Sequence, residues 1–169
     1  MNYKTSGRGE FKVKQIIYLE TSVISYLAAK PSRDLVVAAN QQITKVWWDN
    51  YKDDYEIFVS QIVIEEASGG DPDASQKRLR VIEHIPLLGM TEDILKLAKQ
   101  FIEAGILPQN AARDALHIAI ATIHGIDYLL TWNCTHIANA KIRNDITKIC
   151  HLNGYEIPVI CTPQELTGG

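Results

Sequence analysis

The sequence is short of the residues that staple small extracellular folds, with only three cysteines in 169 residues: Cys134, Cys150 and Cys161. An odd count, no close metal-type pair and only His136 and His151 nearby exclude a disulfide framework and argue against a zinc site. The thiols read as reduced and mostly buried. Long apolar runs are also missing. None approaches the roughly 18 residues that a membrane span requires, and no basic-then-apolar leader opens the chain, so a cytoplasmic protein with no membrane partner is expected. Positive charge is scarce: Lys and Arg number 17 against 20 Asp and Glu, for a net charge of −3 and a pI near 5.9. This excludes a protein that coats nucleic acid through bulk charge. It leaves room for a nuclease, in which a local acidic site holds a cation and the cation, with a few nearby basic groups, meets the phosphates. No glycine-rich loop follows the first apolar run, so nucleotide-binding readings lose support. Internal repeats, low-complexity tracts and interdomain linkers are absent.

What is present is a 46% hydrophobic chain, enough for one domain that buries about two thirds of its unfolded surface. Residues 1–14 lack periodicity before Val13 and read as a loose leader; residues 15–166 read as a single domain. Ile16-Ile17-Tyr18-Leu19 is a strand buried on both faces. Glu20 stands at its carboxyl end, and Thr21 or Ser22 is expected to cap the helix that follows, to Ala29. Lys30-Pro31 ends that helix. A longer one capped by Ser32 or Asp34 runs to about Asn50, with Val36, Ala39, Ile43, Val46/Trp47 and Asn50/Tyr51 at helical spacing. Trp47 and Trp48 point about 100° apart, so one of them is expected to be only partly covered.

Tyr55–Ser60 is a second strand, followed by a helix carrying Glu65 and Glu66 that stops at Gly69-Gly70. The next helix, Asp73 to Glu83, bears Lys77, Arg78 and Arg80, which read as a solvated face. Residues 85–88 form an edge strand, where proline is tolerated. Thr91 caps a helix to about Ala104. Asn110 to His124 is a small-residue, apolar helix suited to an interior, so Asp114 in its first turns is a buried cost or a functional group. Residues 127–132 form a strand with Asn133 just past its end. A helix over 144–152, a strand over 158–161 and a closing turn complete the chain. Strands alternating with helices imply a three-layer α/β/α fold around a mostly parallel sheet of four to five strands.

Parallel sheets collect chemistry at the carboxyl ends of their strands. Glu20, Glu66 and Asp114 sit at strand ends or a helix start, and Asn133 follows another strand end. If those ends share an edge, their hard oxygen donors suit Mg²⁺ or Mn²⁺. Such an ion makes water nucleophilic near neutral pH and offsets charge building on a phosphate.

The segments "IIYLETSVISYL", "VSQIVIEEAS", "ARDALHIAIA" and "YLLTWNCTHIAN", in this order and spacing over Ile16 to Val159, resemble a PIN domain, the fold of the VapC-type toxin ribonucleases. The resemblance implies a metal-dependent endoribonuclease acting on single-stranded RNA, with Mg²⁺ or Mn²⁺ at Glu20, Glu66, Asp114 and Asn133 and with Thr131 as the accompanying hydroxyl. It also implies an antitoxin partner and a homodimer. Spacing from Ser60 favours Glu66 over Glu65. Two residues depart from the pattern: Glu20 stands where Asp is usual, and Asn133 stands where Asp is frequent. They motivate a rival reading, a degenerate domain that binds RNA or protein without cleaving. A receiver-like signalling domain lacks its adjacent acids and late lysine here. His117, one turn after Asp114, reads as a neutral packing histidine rather than a site residue.

Overall fold

A computed structural model describes residues 13–168. Its strands are β1 (Gln15–Leu19), β2 (Tyr55–Ser60), β3 (Leu87–Leu88), β4 (Tyr128–Leu130) and β5 (Val159–Cys161). Its helices are α1 (Thr21–Ala28), α2 (Leu35–Tyr51), α3 (Gln61–Ala67), α4 (Pro72–Ile82), α5 (Glu92–Glu103), α6 (Ala112–Ile123) and α7 (Ala140–Leu152). The first apolar run becomes the central strand because it is apolar enough to be covered on both faces: Ile17, Tyr18 and Leu19 of β1 are all 0% exposed. The sheet order is β3-β2-β1-β4-β5 and every pairing is parallel. The chain winds outward from β1 through β2 to β3, then crosses back to β4 and β5. Right-handed crossovers therefore place α1–α4 on one face and α5–α7 on the other. Consistent with this, α1 packs on α2 and α4, and α5 packs on α6 and α7. The expected three-layer fold is thus found, with five strands and no antiparallel member among the described residues. The strand order reverses between β1 and β4, which makes their carboxyl ends the topological switch point where open α/β sheets bind ligands.

The starts of α2, α4 and α5 rest on side-chain caps, two of them, Asp34 and Thr91, among those expected and one, Asp71, not. Asp34 accepts from Val37 N at 3.0 Å, Asp71 from Ala74 N at 2.9 Å and Thr91 from Ile94 N at 3.4 Å. The apolar α6 lies inside, with Ala115, Ile118, Ala119, Ile120 and Ala121 buried against the core that includes Ile94, Leu97 and Phe101 of α5. Arg78 is tied down rather than solvated, its Nε donating to Ala67 O at 3.0 Å. Cys150 and Cys161 are buried, and burial pushes their thiols up to about 11 and about 12 respectively. Cys134 is exposed, and all three cysteines are free.

The structure also differs from expectation on α2 and at the start of α7. On α2 the buried residues are Thr44 and Trp47, whereas Val36 is 70% exposed and Ala39 and Asn50 also face solvent. The buried stripe is polar at Thr44 because that hydroxyl accepts from Trp132 Nε1 at 2.8 Å, a tertiary need that hydrophobic spacing does not encode. Trp48 is the partly covered tryptophan, with Lys52 Nζ 5.7 Å from its ring centroid. Helix α7 begins at Ala140 rather than Asn144, capped by Asn139 accepting from Lys141 N at 2.9 Å. Of the expected leader, residues 1–12 lie outside the described residues, while Lys14 Nζ donates to Asp53 O at 2.6 Å.

Candidate metal centre at the switch point

Glu20 leaves β1 directly into the sheet's carboxyl edge and is only 6% exposed. A carboxylate so buried needs donors. It has them: Thr131 Oγ1 donates to its Oε2 at 2.7 Å, and Ser22 Oγ donates to the same oxygen. The loop after β4 is laced to this point, since Trp132 N donates to Ser22 Oγ at 2.8 Å and Asn133 N to Thr131 Oγ1 at 2.9 Å. The neighbouring backbone continues the sheet, with Glu20 N donating to Leu130 O at 3.0 Å. Neither Thr21 nor Ser22 caps α1, contrary to expectation; both hydroxyls are turned to carboxylates instead.

Helix α3 follows β2 without a loop, which delivers Glu66 to the same edge. Its Oε2 accepts from Thr21 Oγ1 and lies 3.0 Å from His117 Nε2. Burial works to raise the Glu66 carboxyl, but its bonds and charge interaction with His117, the Thr21 bond and nearby Arg113 outweigh it and hold the group below the usual carboxylate value. Glu65, one residue earlier, is exposed and pairs with Arg113 at 3.5 Å. Adjacent helical residues diverge by about 100°, so α3 can present only one of the two to the site.

His117 is 0% exposed and is not merely packing. Its Nδ1 lies 2.7 Å from the Tyr18 hydroxyl, which is itself 2.7 Å from Ser60 Oγ. Burial above all raises the Tyr18 phenol far beyond its ordinary value; the Ser60 bond works the other way, and the charges of Glu20 and Glu66 add to the rise. Tyr18 therefore keeps its proton and serves as a neutral hydroxyl.

Asp114 and Asn133 form a second arm. Asn133 Nδ2 donates to Asp114 Oδ1 at 3.0 Å, and His136 Nδ1 lies 2.8 Å from Asp114 Oδ2. Asn133 Oδ1 accepts from His136 N at 3.1 Å. Through Asn133 and Thr131 this arm is joined to Glu20. The ligand atoms of Glu20, Glu66 and His117 all lie within 4.8 Å of one another, the only such grouping of three among the described residues. Asp114 is not in that trio. Two carboxylate oxygens and one imidazole nitrogen form a donor set that suits a divalent cation, which would also relieve the repulsion between the two acids.

Sequence reasoning named Glu20, Glu66, Asp114, Asn133 and Thr131, and all of them stand at this edge. It did not find His136, Tyr18 or Ser60, and it gave His117 a packing role. The signal for His117 was its i+3 offset from Asp114, which puts both on one helix face. His136 stands three residues past Asn133, in a loop whose shape no periodicity reveals. The Tyr18–Ser60 contact joins two strands, so only the β1–β2 pairing exposes it.

No protein-family model matches the sequence, and no curated protein matches it. The fold is similar to that of a chain in the crystal structure of VapBC2 from Rickettsia felis bound to a DNA fragment from their promoter. The TM-score is 0.56 over 88% of this chain and 98% of that one, at 14% sequence identity.

Proposed function

We propose that the chain is a divalent-metal-dependent endoribonuclease that cleaves single-stranded RNA and serves as the toxin of a toxin–antitoxin pair. The observation that carries this reading is the convergence of Glu20, Glu66 and His117 within 4.8 Å at the β1/β4 switch point. The PIN-like fold and its likeness to a chain of the VapBC2 complex support the antitoxin partner, and the sequence resemblance supports a homodimer. Among the described residues no helix is long and apolar enough to cross a membrane.

Glu20 and Glu66 would hold the cation, Mg²⁺ or Mn²⁺, with Asp114 and Asn133 completing the polar edge. Bound there, a divalent cation offsets phosphate charge and favours attack by water near neutral pH. The protein's own groups do the positioning. Thr131 and Ser22 fix the Glu20 oxygen by two hydroxyl donors, Thr21 fixes that of Glu66, and Asn133 and His136 hold both oxygens of Asp114. Arg113, exposed beside Glu65 at the start of α6, supplies positive charge for a phosphate arriving at the mouth. Incubation of the purified chain with single-stranded RNA, with Mn²⁺ or Mg²⁺ and with or without chelator, tests the proposal. Metal-dependent cleavage that chelation abolishes is expected.

One observation favours a second reading, a domain that binds RNA or protein without cleaving it. Both Asp114 oxygens are already occupied by Asn133 and His136, and Asn133 lacks a charge. RNA retention without cleavage in any divalent metal would select that reading.

A further inference from the structure

The buried hydroxyl pair Tyr18–Ser60 behind His117 has no evident purpose in a site built only of acids. A neutral imidazole carries one N–H, and the partner of each ring nitrogen decides where it resides. Facing an ionised Glu66, His117 Nε2 carries the proton and donates across 3.0 Å. Nδ1 then accepts from Tyr18 at 2.7 Å, and Tyr18 accepts from Ser60 at 2.7 Å. Hydroxyls are donors and acceptors alike and rotate to suit. Reversed, the same contacts have Nδ1–H donating to Tyr18 and Tyr18 donating to Ser60, which leaves Nε2 with a free lone pair. One proton leaves Nε2 and one arrives at Nδ1, so the ring stays neutral. A metal-bound histidine requires this second arrangement, in which its other N–H is held by a hydrogen-bond acceptor.

Resting on the metal-dependent reading above, we infer that His117 is a nitrogen ligand to the cation, held in its metal-binding tautomer by Tyr18 as a positioning residue, and that the site selects a first-row transition ion over Mg²⁺. The chemistry of the donors gives the direction. Imidazole nitrogen suits the transition ions, whereas Mg²⁺ demands oxygen and retains its waters. Asp114, the acid that would otherwise supply a third oxygen, is engaged by Asn133 and His136 and lies outside the trio.

Pulsed electron paramagnetic resonance on the full chain loaded with Mn²⁺ alone, without RNA, tests this. Coupling to a histidine nitrogen is expected in the wild type. It is expected to vanish in His117→Gln, in which Glu20 and Glu66 still bind Mn²⁺. Tyr18→Phe keeps the coupling but weakens Mn²⁺ binding about tenfold, the scale on which supporting partners act. In competition, displacing Mn²⁺ from the wild type takes at least about tenfold more Mg²⁺ than displacing it from His117→Gln. Bound Mn²⁺ without nitrogen coupling in the wild type would overturn the role of His117 and leave the metal-dependent reading standing. No bound Mn²⁺ would overturn both.

Discussion

At the scale of single residues, the site turns on which carboxylate oxygens face the switch point. Glu66 is in the trio with Glu20 and His117, while Glu65 is turned to Arg113. Glu66→Gln is therefore expected to lower RNA cleavage by about 100-fold or more, on the scale of lost ligand and supporting groups, whereas Glu65→Gln leaves it within a factor of about two. Parallel assays of the two purified variants check this, and the reverse order would mean that α3 presents its other face. Glu66 also leaves a trace in stability. Its folded carboxyl titrates below its ordinary 4.5, so in the metal-free protein the unfolded chain binds more protons between those two values. The stability that Glu66 contributes is fully present above about pH 4.5 and is lost as pH falls through the lower folded value. Acid unfolding of Glu66→Gln should lack that part of the decline, as denaturation followed from pH 6 to pH 2 would show. The positions of Glu20 and Asn133 at the sheet edge were legible from sequence because each ends or follows an apolar strand, whereas Thr131 was named only through the family resemblance. Tyr18 was not, because a tyrosine inside a buried strand looks like core until its neighbour Ser60 is known.

At the scale of elements, strands were legible, caps only in part (Asp34 and Thr91, but not those of α1, α4 and α7), and helix faces less so. Read from sequence, α4 starts at Asp73, whereas in the structure it starts at Pro72, capped by the Asp71 side chain on Ala74 N. Asp71→Ala is expected to cost about 1 kcal/mol, or about 2–4 °C in melting temperature for a chain of this size. Cleavage should be unchanged, because α4 carries no site residue. A thermal melt and an RNA assay on one preparation test both halves of that statement. Helix α2 shows where periodicity misleads. Val36, Ala39 and Val46 keep helical spacing yet face solvent, because Trp47 and the Thr44–Trp132 hydrogen bond set the helix's rotation. The start of α7 was displaced because the polar loop 133–139 resembles its first turn in composition, and only the Asn139 cap separates the two.

At the scale of the whole molecule, strand order produces the site. Four chain segments far apart in sequence meet because the winding reverses between β1 and β4, so each crossover delivers its polar residue to one edge. Alternation of strands and helices made the layered fold legible, whereas the order β3-β2-β1-β4-β5 depends on tertiary pairing. A cation that binds only this assembled edge stabilises the folded chain by about 2.7 kcal/mol at one hundred times its Kd. Mn²⁺ should accordingly raise the melting temperature of the wild type by several degrees, and Glu20→Gln should lose most of that rise.

The most direct measurement is cleavage of a single-stranded RNA by the purified chain in Mn²⁺, repeated with chelator and with Glu66→Gln. Cleavage by the wild type in Mn²⁺, abolished by chelator and absent from the variant, is the expected result. Cleavage that persists in chelator, or an Mn²⁺-loaded wild type that leaves every RNA intact, would contradict a metal-dependent ribonuclease at the β1/β4 edge.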